Sequence, residues 1–446
     1  MLKKYYAIAA LAAVTLLAFV SLVQNKHATR VARNLRFDLE EFADEKYFEK
    51  QNFRVVSFGT SRTWGAGLEN RNTQTYTALL NGTNLAIRSS MADYPALCTY
   101  SMLGDEIYDV ITIEYLPQSY IQCKDSLVEL GRRLRQRYPE ALIIYINVWS
   151  NHQFLQKQPD HKMKSLVALA TERAAEENRT AVDSKAIGDV ASDLANRYRW
   201  IFQETEEAWL REQVKDPSID GKVLHYELPK EGEYVGAIFR LQSLYVDDGI
   251  HFNEFGHQWV RHEIMKIIRE NEHTRKDNVR PWEAKDSCES WIQSGEAKAQ
   301  TNMEMRSFSG GMKFALESRR NRTEPNYIVL ENDSGKDQHF YLSHMSSGPK
   351  DIYGGGRLEI HEKSLDAPVS YNATLDTVSN YTNYQIHVIK HEYIGPIKPG
   401  NSYIVIENSD KYELGNGLDF KTVGYVMSPA DYVVERLQGN VDQGRG

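Results

Sequence analysis

Cysteine is scarce in this chain of 446 residues: there are three, Cys98, Cys123 and Cys288, which allow at most one internal disulfide. No C-x-x-C pair and no Cys/His cluster at zinc-ligand spacing occurs, so the sequence calls for no structural metal and no cofactor. Cys98 and Cys123 fall within one expected domain and are the pair expected to bond, leaving Cys288 over. A long basic run is missing too. The formal charge of −8 is spread along the chain, and phosphate binding needs a concentrated positive surface, so nucleic acid is excluded as a partner. Disorder is excluded by a composition of 41% apolar and 26% charged residues.

What is present begins with length, enough for two or three domains each with its own core. The 26 Tyr and 7 Trp would suit a sugar-binding surface, but filling cores is their expected use. At the N-terminus, Lys3 and Lys4 precede an uncharged apolar run over residues 5–23, 19 residues long. A spanning helix needs roughly 20 such residues, and a signal-peptide core only about 7–15. Residues 1–23 therefore read as a cytosolic tip and transmembrane signal anchor, with cleavage and secretion the alternative. Lys26, Arg30, Arg33 and Arg36 after the span would, by the positive-inside rule alone, keep the C-terminal side in the cytosol. Six Asn-X-Ser/Thr sequons, at Asn81, Asn178, Asn321, Asn332, Asn372 and Asn380, point the other way. Long domains translocate largely regardless of flanking charge, so a luminal or extracellular body is expected.

Residues 24–50 are charged and read as a helical stem. From there the pattern alternates. Residues 54–58, 84–87, 109–115 and 141–148 are strand-like, and 126–138 has the helical spacing of Leu127, Leu130 and Leu134, stopped by Pro139. Apolar strands alternating with amphipathic helices predict an α/β domain with a mostly parallel sheet over residues 51–272. Residues 151–240 read as helical elaborations on it, and a last helix is expected over 254–270. A charged linker comes next, over 273–290. The period then changes: seven short β-type runs, at 312–316, 327–331, 340–342, 358–361, 385–389, 403–407 and 422–427, predict an all-β sandwich over 291–430, with a tail at 431–446. The near-repeat of residues 327–332 and 403–408 reads as two similar strands of one sandwich.

Two segments carry chemistry. Ser61 stands just beyond the first strand, and open α/β sheets bind ligands at the carboxyl ends of their strands. A serine hydroxyl is a poor nucleophile alone and needs a base, usually a histidine oriented by a carboxylate. Asp248-Gly249-Ile250-His251 offers both on a turn ahead of the last helix. Gly65-Ala66-Gly67 lacks the third glycine of a dinucleotide loop. His257 and His262 read as packing or surface residues.

Gly59-Thr60-Ser61 after the first strand, with Asp248-Gly249-Ile250-His251-Phe252-Asn253 and then Gly256-His257, resembles blocks I and V of the SGNH (GDSL-like) hydrolase superfamily. Block V is commonly written D-G-x-H-P-N-x-x-G-H, and only its Pro is replaced here, by Phe252. The resemblance covers about residues 53–270. It implies a flavodoxin-like three-layer fold and the hydrolysis or transfer of an ester, often an acetyl or acyl group on a sugar or lipid, with Ser61, Asp248 and His251 as the catalytic residues. The middle blocks depart from the pattern. Where the family has an oxyanion-supporting Gly and Asn, alignment puts Ser89 and Gln118, so the expected oxyanion hole is the Ser61 N–H with Ser89 and Gln118.

The expected function is thus a serine esterase or O-acyltransferase acting on acylated carbohydrate in the secretory pathway or at the cell surface, tethered to the membrane by its N-terminal helix. The alternative is an inactive glycan-binding or scaffold protein on the same fold.

Overall fold

The computed structural model describes residues 48–115, 124–148, 164–177, 183–200, 204, 207–229, 232–282, 285–308, 311, 313–318, 324–346, 355–375, 388–409 and 420–429. The expected signal anchor, most of the stem, the tail, Gln118, Cys123, Asn178, Asn321 and Asn380 lie outside the described residues. Among the described residues no helix is long and apolar enough to cross a membrane.

The N-terminal half is an α/β domain. Its strands are β1 (Val55–Gly59), β2 (Thr83–Asn84), β3 (Val110–Glu114), β4 (Leu142–Asn147) and β5 (Lys222–His225). They form one parallel sheet in the order β2-β1-β3-β4-β5, the doubly wound flavodoxin order. Every residue of β1, β3 and β4 is buried, as a sheet covered on both faces requires and as their continuous apolar runs foretold.

Short helices α1 (Ser61–Trp64), α2 (Arg71–Gln74) and α3 (Tyr76–Leu79) lie between β1 and β2. Helices α4 (Asp93–Leu97) and α5 (Thr99–Leu103) precede β3, and α6 (Lys124–Arg137) joins β3 to β4. Leu127, Leu130 and Leu134 of α6 are buried in one cluster with Phe58, Ile111, Ile113 and Ile143. The 151–240 stretch supplies α7 (Leu166–Glu176), α8 (Ser184–Tyr198), α9 (Ala208–Gln213) and α10 (Tyr234–Ser243), but also β5, which the sequence reading did not expect. The last helix, α11, spans Glu254–Glu270.

The C-terminal half is antiparallel. Its strands are β6 (Ser287–Ser290), β7 (Gln300–Thr301), β8 (Glu304–Phe308), β9 (Lys313–Glu317), β10 (Asn326–Asn332), β11 (Gln338–Ser346), β12 (Gly355–Glu362), β13 (Val369–Leu375), β14 (Val388–Ile397), β15 (Gly400–Ser409) and β16 (Lys421–Pro429). One sheet runs β13-β12-β15-β10-β7 and the other β14-β11-β16-β9-β8, with β6 paired to β16. Alternate residues of β10, β12 and β15 point inward: Ile328 and Leu330, Leu358 and Ile360, Ile404 and Ile406 form one core with Phe340, Leu342 and Trp291. The two near-repeat segments are β10 and β15, neighbours in antiparallel register with Ile328 opposite Ile404.

Two expectations need correction. Cys98 bonds to Cys288, not to Cys123; the Cα atoms are 5.8 Å apart, within bridging reach, although 190 residues separate them in sequence. Membership of one domain was the wrong guide, because Cys98 sits between α4 and α5, on the face where the β-sandwich docks: Tyr94, Leu97 and Cys98 share a buried cluster with Tyr341 and Val426. The 273–290 stretch, expected as a charged linker, is tied to the α/β domain by hydrogen bonds. Lys276 N–H bonds to Asp109, Arg280 N–H to the Arg137 carbonyl, and the Trp282 indole to the Gly104 carbonyl. Asp286 accepts from the N–H groups of Tyr100 and Ser101, capping α5, whose own N-cap, Cys98, has no capping oxygen.

The second correction is at Asn332, which is buried, with its amide nitrogen donating to the carbonyls of Lys336 and Ile397. A glycan on that nitrogen is incompatible with this packing. Asn81 and Asn372 are exposed.

Candidate active site

The sheet order reverses at β1, with β2 on one side and β3 on the other, and ligands of doubly wound folds sit outside the carboxyl ends at this point. Ser61 stands there. Strand β1 ends at Gly59, where a Cβ would lie 2.1 Å from the Thr63 hydroxyl and 3.1 Å from Glu114 Cβ, so the tight turn admits only glycine. Thr60 caps α1, and Ser61 is that helix's first residue. Its N–H has no hydrogen-bond partner among the described residues.

Beneath the turn lies Glu114, the last residue of β3 and fully buried. Its Oε2 accepts from the Thr60 N–H at 3.1 Å, the Thr60 hydroxyl at 2.8 Å and the Thr63 hydroxyl at 3.2 Å. Arg62, equally buried, lies 3.6 Å from Glu114 and donates to the Val148 carbonyl at 2.6 Å. A charge pair taken out of water needs further hydrogen bonds, which Glu114 Oε2 and Arg62 Nη1 have, while Glu114 Oε1 and Arg62 Nε have none among the described residues.

The loop between α10 and α11 brings the other two residues. Asp248 Oδ1 accepts from the N–H groups of Ile250 and His251, at 2.7 and 3.0 Å, which folds the carboxylate back over its own turn. Asp248 Oδ2 lies 2.6 Å from His251 Nδ1, and His251 Nε2 lies 2.8 Å from Ser61 Oγ. With a carboxylate at Nδ1, that nitrogen carries the proton, and Nε2 is free to accept one. Burial by itself would raise the Asp248 carboxyl. The hydrogen bonds and charge of His251, with the Ile250 N–H, outweigh it and hold the group below the ordinary carboxylate range. Asp248 is therefore ionised at neutral pH. The hydroxyl, imidazole and carboxylate that the sequence named singly thus meet in one hydrogen-bonded line.

The rest of the motif builds the loop. Asn253 caps α11 through the Gly256 N–H, while its amide nitrogen donates to the Ser243 and Tyr245 carbonyls. Gly256 packs directly on the Leu244 carbonyl, which a Cβ would approach to 2.1 Å. His257 is buried and accepts the Tyr76 N–H at its Nδ1; burial first, then the neighbouring His251, push its pKa down to about 3, so it is a neutral packing group. Phe252, in place of the customary proline, is buried with its ring 5.2 Å from that of Tyr245.

Ser89 lies just after the short β2. Leu85 N–H bonds to the Ser57 carbonyl and Ile87 N–H to that of Gly59, so the 85–89 segment runs beside β1 and reaches the same edge as Ser61. Ser89 has φ +63°, the left-handed region that favours glycine. Ser89, at the position where the resemblance expects glycine, thus holds a backbone conformation that favours glycine.

Sequence reasoning missed Glu114, Arg62 and Asn253. A lone acid closing the otherwise apolar β3 was the available signal for Glu114, since a buried carboxylate needs several donors.

No protein family matches this chain by its sequence, and no curated protein does. Some solved structures are similar to it at low identity. A two-domain esterase active on acetylated mannans is similar over 86% of this chain and 95% of its own, at 10% identity and a TM-score of 0.44. A protein of Lactobacillus plantarum is similar over 49% of this chain and 97% of its own, at 16% identity and a TM-score of 0.30. A carbohydrate-binding module of Clostridium stercorarium, solved with cellobiose, is similar over 32% of this chain and 94% of its own, at 10% identity and a TM-score of 0.22.

Proposed function

We propose that this chain is a serine esterase or O-acyltransferase of the SGNH type, acting on acyl esters, acetyl foremost, carried by a glycan. One observation carries the reading: Ser61 Oγ, His251 and Asp248 form a continuous line of hydrogen bonds, 2.8 and 2.6 Å long, at the ligand-binding edge of the sheet. His251 Nε2 takes the Ser61 proton as Oγ attacks the acyl carbon. It returns the proton to the leaving alcohol, and Asp248 holds the ring and stabilises the imidazolium. Water or a second hydroxyl then takes the acyl group from Ser61. The free N–H of Ser61, with Ser89 beside it, supplies donors for the oxyanion.

The glycan substrate is inferred from the resemblance and from the compartment. A disulfide and exposed sequons at Asn81 and Asn372 suit a body exposed to the lumen or the cell exterior, anchored through residues 1–23. The test is hydrolysis of a short-chain aryl acetate. Wild type is expected to turn it over and to be labelled by a fluorophosphonate, with turnover lowered by roughly 10⁴ or more and labelling lost in Ser61→Ala and His251→Ala. Equal labelling of all three would overturn the assignment, and an inert wild type would leave the binding-protein reading.

A further inference from the structure

Besides the cluster around Cys98, the β-sandwich grips the α/β domain along residues 86–89. Gln293 donates to the Ala86 carbonyl at 3.1 Å. Ile87 packs against the buried cluster of Ile292, Ala315, Met345, Ile389 and Val423. Ile389 N–H, at the start of β14, donates to the Ser89 carbonyl at 3.0 Å. Lys313, the first residue of β9, donates through Nζ to the Ser89 hydroxyl at 2.6 Å.

Lys313 is expensive where it stands. It is 8% exposed, and among the described residues its ammonium has no carboxylate partner. The charged groups around it are Arg88 on the α/β side and, beyond Phe308 along the sheet, Lys421, which is itself paired with Glu317. Burial, and secondarily Arg88, push its pKa down to about 8. A cation in such a place destabilises the fold, so packing does not account for it. Ser89 is strained as well, because a side chain in the left-handed region costs energy and persists only where its surroundings fix it. Here the surroundings are β9 and β14, one holding the hydroxyl and the other the carbonyl.

We propose that Lys313 is a positioning residue for the candidate esterase site: with Ile389 it locks Ser89 beside Ser61, so that the β-sandwich completes the oxyanion-binding edge of the cleft. Because Nζ donates to the Ser89 oxygen, the serine's own proton is left for another acceptor, as is its N–H, which has no partner among the described residues. The charge on Lys313 polarises that donor, and linked hydrogen bonds reinforce one another. The inference rests on Ser61 being the nucleophile.

The test uses the full chain, an aryl acetate and a double-mutant cycle. Lys313→Met is expected to lower kcat by roughly 10- to 100-fold with KM little changed, the signature of a contact used in the transition state. Its melting temperature should not fall, since a buried charge has been removed. In wild type kcat should decline as pH rises through about 8, where Lys313 loses its proton, whereas Lys313→Arg should keep its plateau to higher pH. On a Ser89→Gly background, adding Lys313→Met should change kcat less than about twofold, because the coupled partner is gone. If Lys313→Met matches wild type in kcat while Ser61→Ala is dead, this inference fails and the esterase reading stands. The same holds if Lys313→Met loses activity equally with and without the Ser89 hydroxyl. A wild type inert toward the ester overturns both.

Discussion

Glu114 Oε2 accepts both the backbone N–H and the hydroxyl of Thr60, so the residue preceding the candidate nucleophile is held from below by a carboxylate on the neighbouring strand. Removing that carboxylate leaves Arg62 buried without its counter-charge and frees the turn that aims Ser61. Glu114→Ala should lose about 3–5 kcal/mol in urea unfolding, the usual cost of breaking a buried pair. Glu114→Gln, which keeps the shape, should lose less. In either variant that still folds, ester turnover should fall by up to about 100-fold, since a displacement near 1 Å has that effect. Unchanged turnover in a folded Glu114→Gln protein would show that the turn holds itself.

Glycosylation discriminates among the sequons. In protein made by a eukaryotic secretory host, Asn81→Gln and Asn372→Gln should each remove one N-glycanase-sensitive mass increment, since both residues are exposed. Asn332→Gln should leave the mass pattern unaltered and lower stability by about 1–3 kcal/mol, because the buried side chain satisfies two carbonyls. A glycan found on Asn332 would contradict the buried packing of β10. No N-glycan anywhere would remove the secretory placement.

Much of the α/β half was legible because its signals are local. The strands β3 and β4 are mostly apolar runs, and α11 opens on the Asn253 cap and runs over the 254–270 span read from the sequence. Strand β5 was not legible: its Lys222-Val223-Leu224-His225 is short and half exposed at the edge of the sheet, so no face declares itself. Strands β8 and β13 escaped for the same reason, with most of their residues in solvent. The site divided along a similar line. Ser61 and the Asp248–His251 turn carry their chemistry within a few residues, while Lys313 and Cys288 act on residues 224 and 190 positions away, where no spacing rule reaches. Ser89, whose aligned position was expected to carry a glycine, takes its hydrogen-bond partner Lys313 from the other half of the chain.

The disulfide offers a direct check on that long-range contact. Non-reducing peptide mapping should recover Cys98 joined to Cys288; a Cys98–Cys123 peptide would refute the docking of β6 beside α5. Closing a loop of 190 residues is worth about 5 kcal/mol in the chain-entropy treatment, and native bridges typically contribute about 2–5. Cys288→Ser should therefore lower unfolding stability by that lower range, and dithiothreitol should weaken wild type but not the variant.

Acid sensitivity should concentrate at Asp109. This fully buried carboxylate accepts from the Arg54 N–H and from Arg54 Nε and Nη2 at 2.7–2.9 Å, and from the Lys276 N–H at 3.0 Å, joining the start of β1, the start of β3 and the 273–290 strap. Burial raises its pKa, but the Arg54 and Lys276 hydrogen bonds outweigh it and hold the carboxyl below the ordinary range. For an acid depressed in the folded state, the unfolded chain binds the proton more readily. The stabilisation is thus fully present above the unfolded value of about 4 and is lost as pH falls through the folded one. Asp109→Asn should cost about 3 kcal/mol at pH 7, because Arg54 keeps its charge and loses its buried carboxylate partner, retaining only the exposed Asp277. The gap between wild type and variant should narrow steadily below about pH 4, measured as urea midpoints across the acid range. A gap that stays constant down to about pH 2 would mean that Asp109 supports the fold through shape alone.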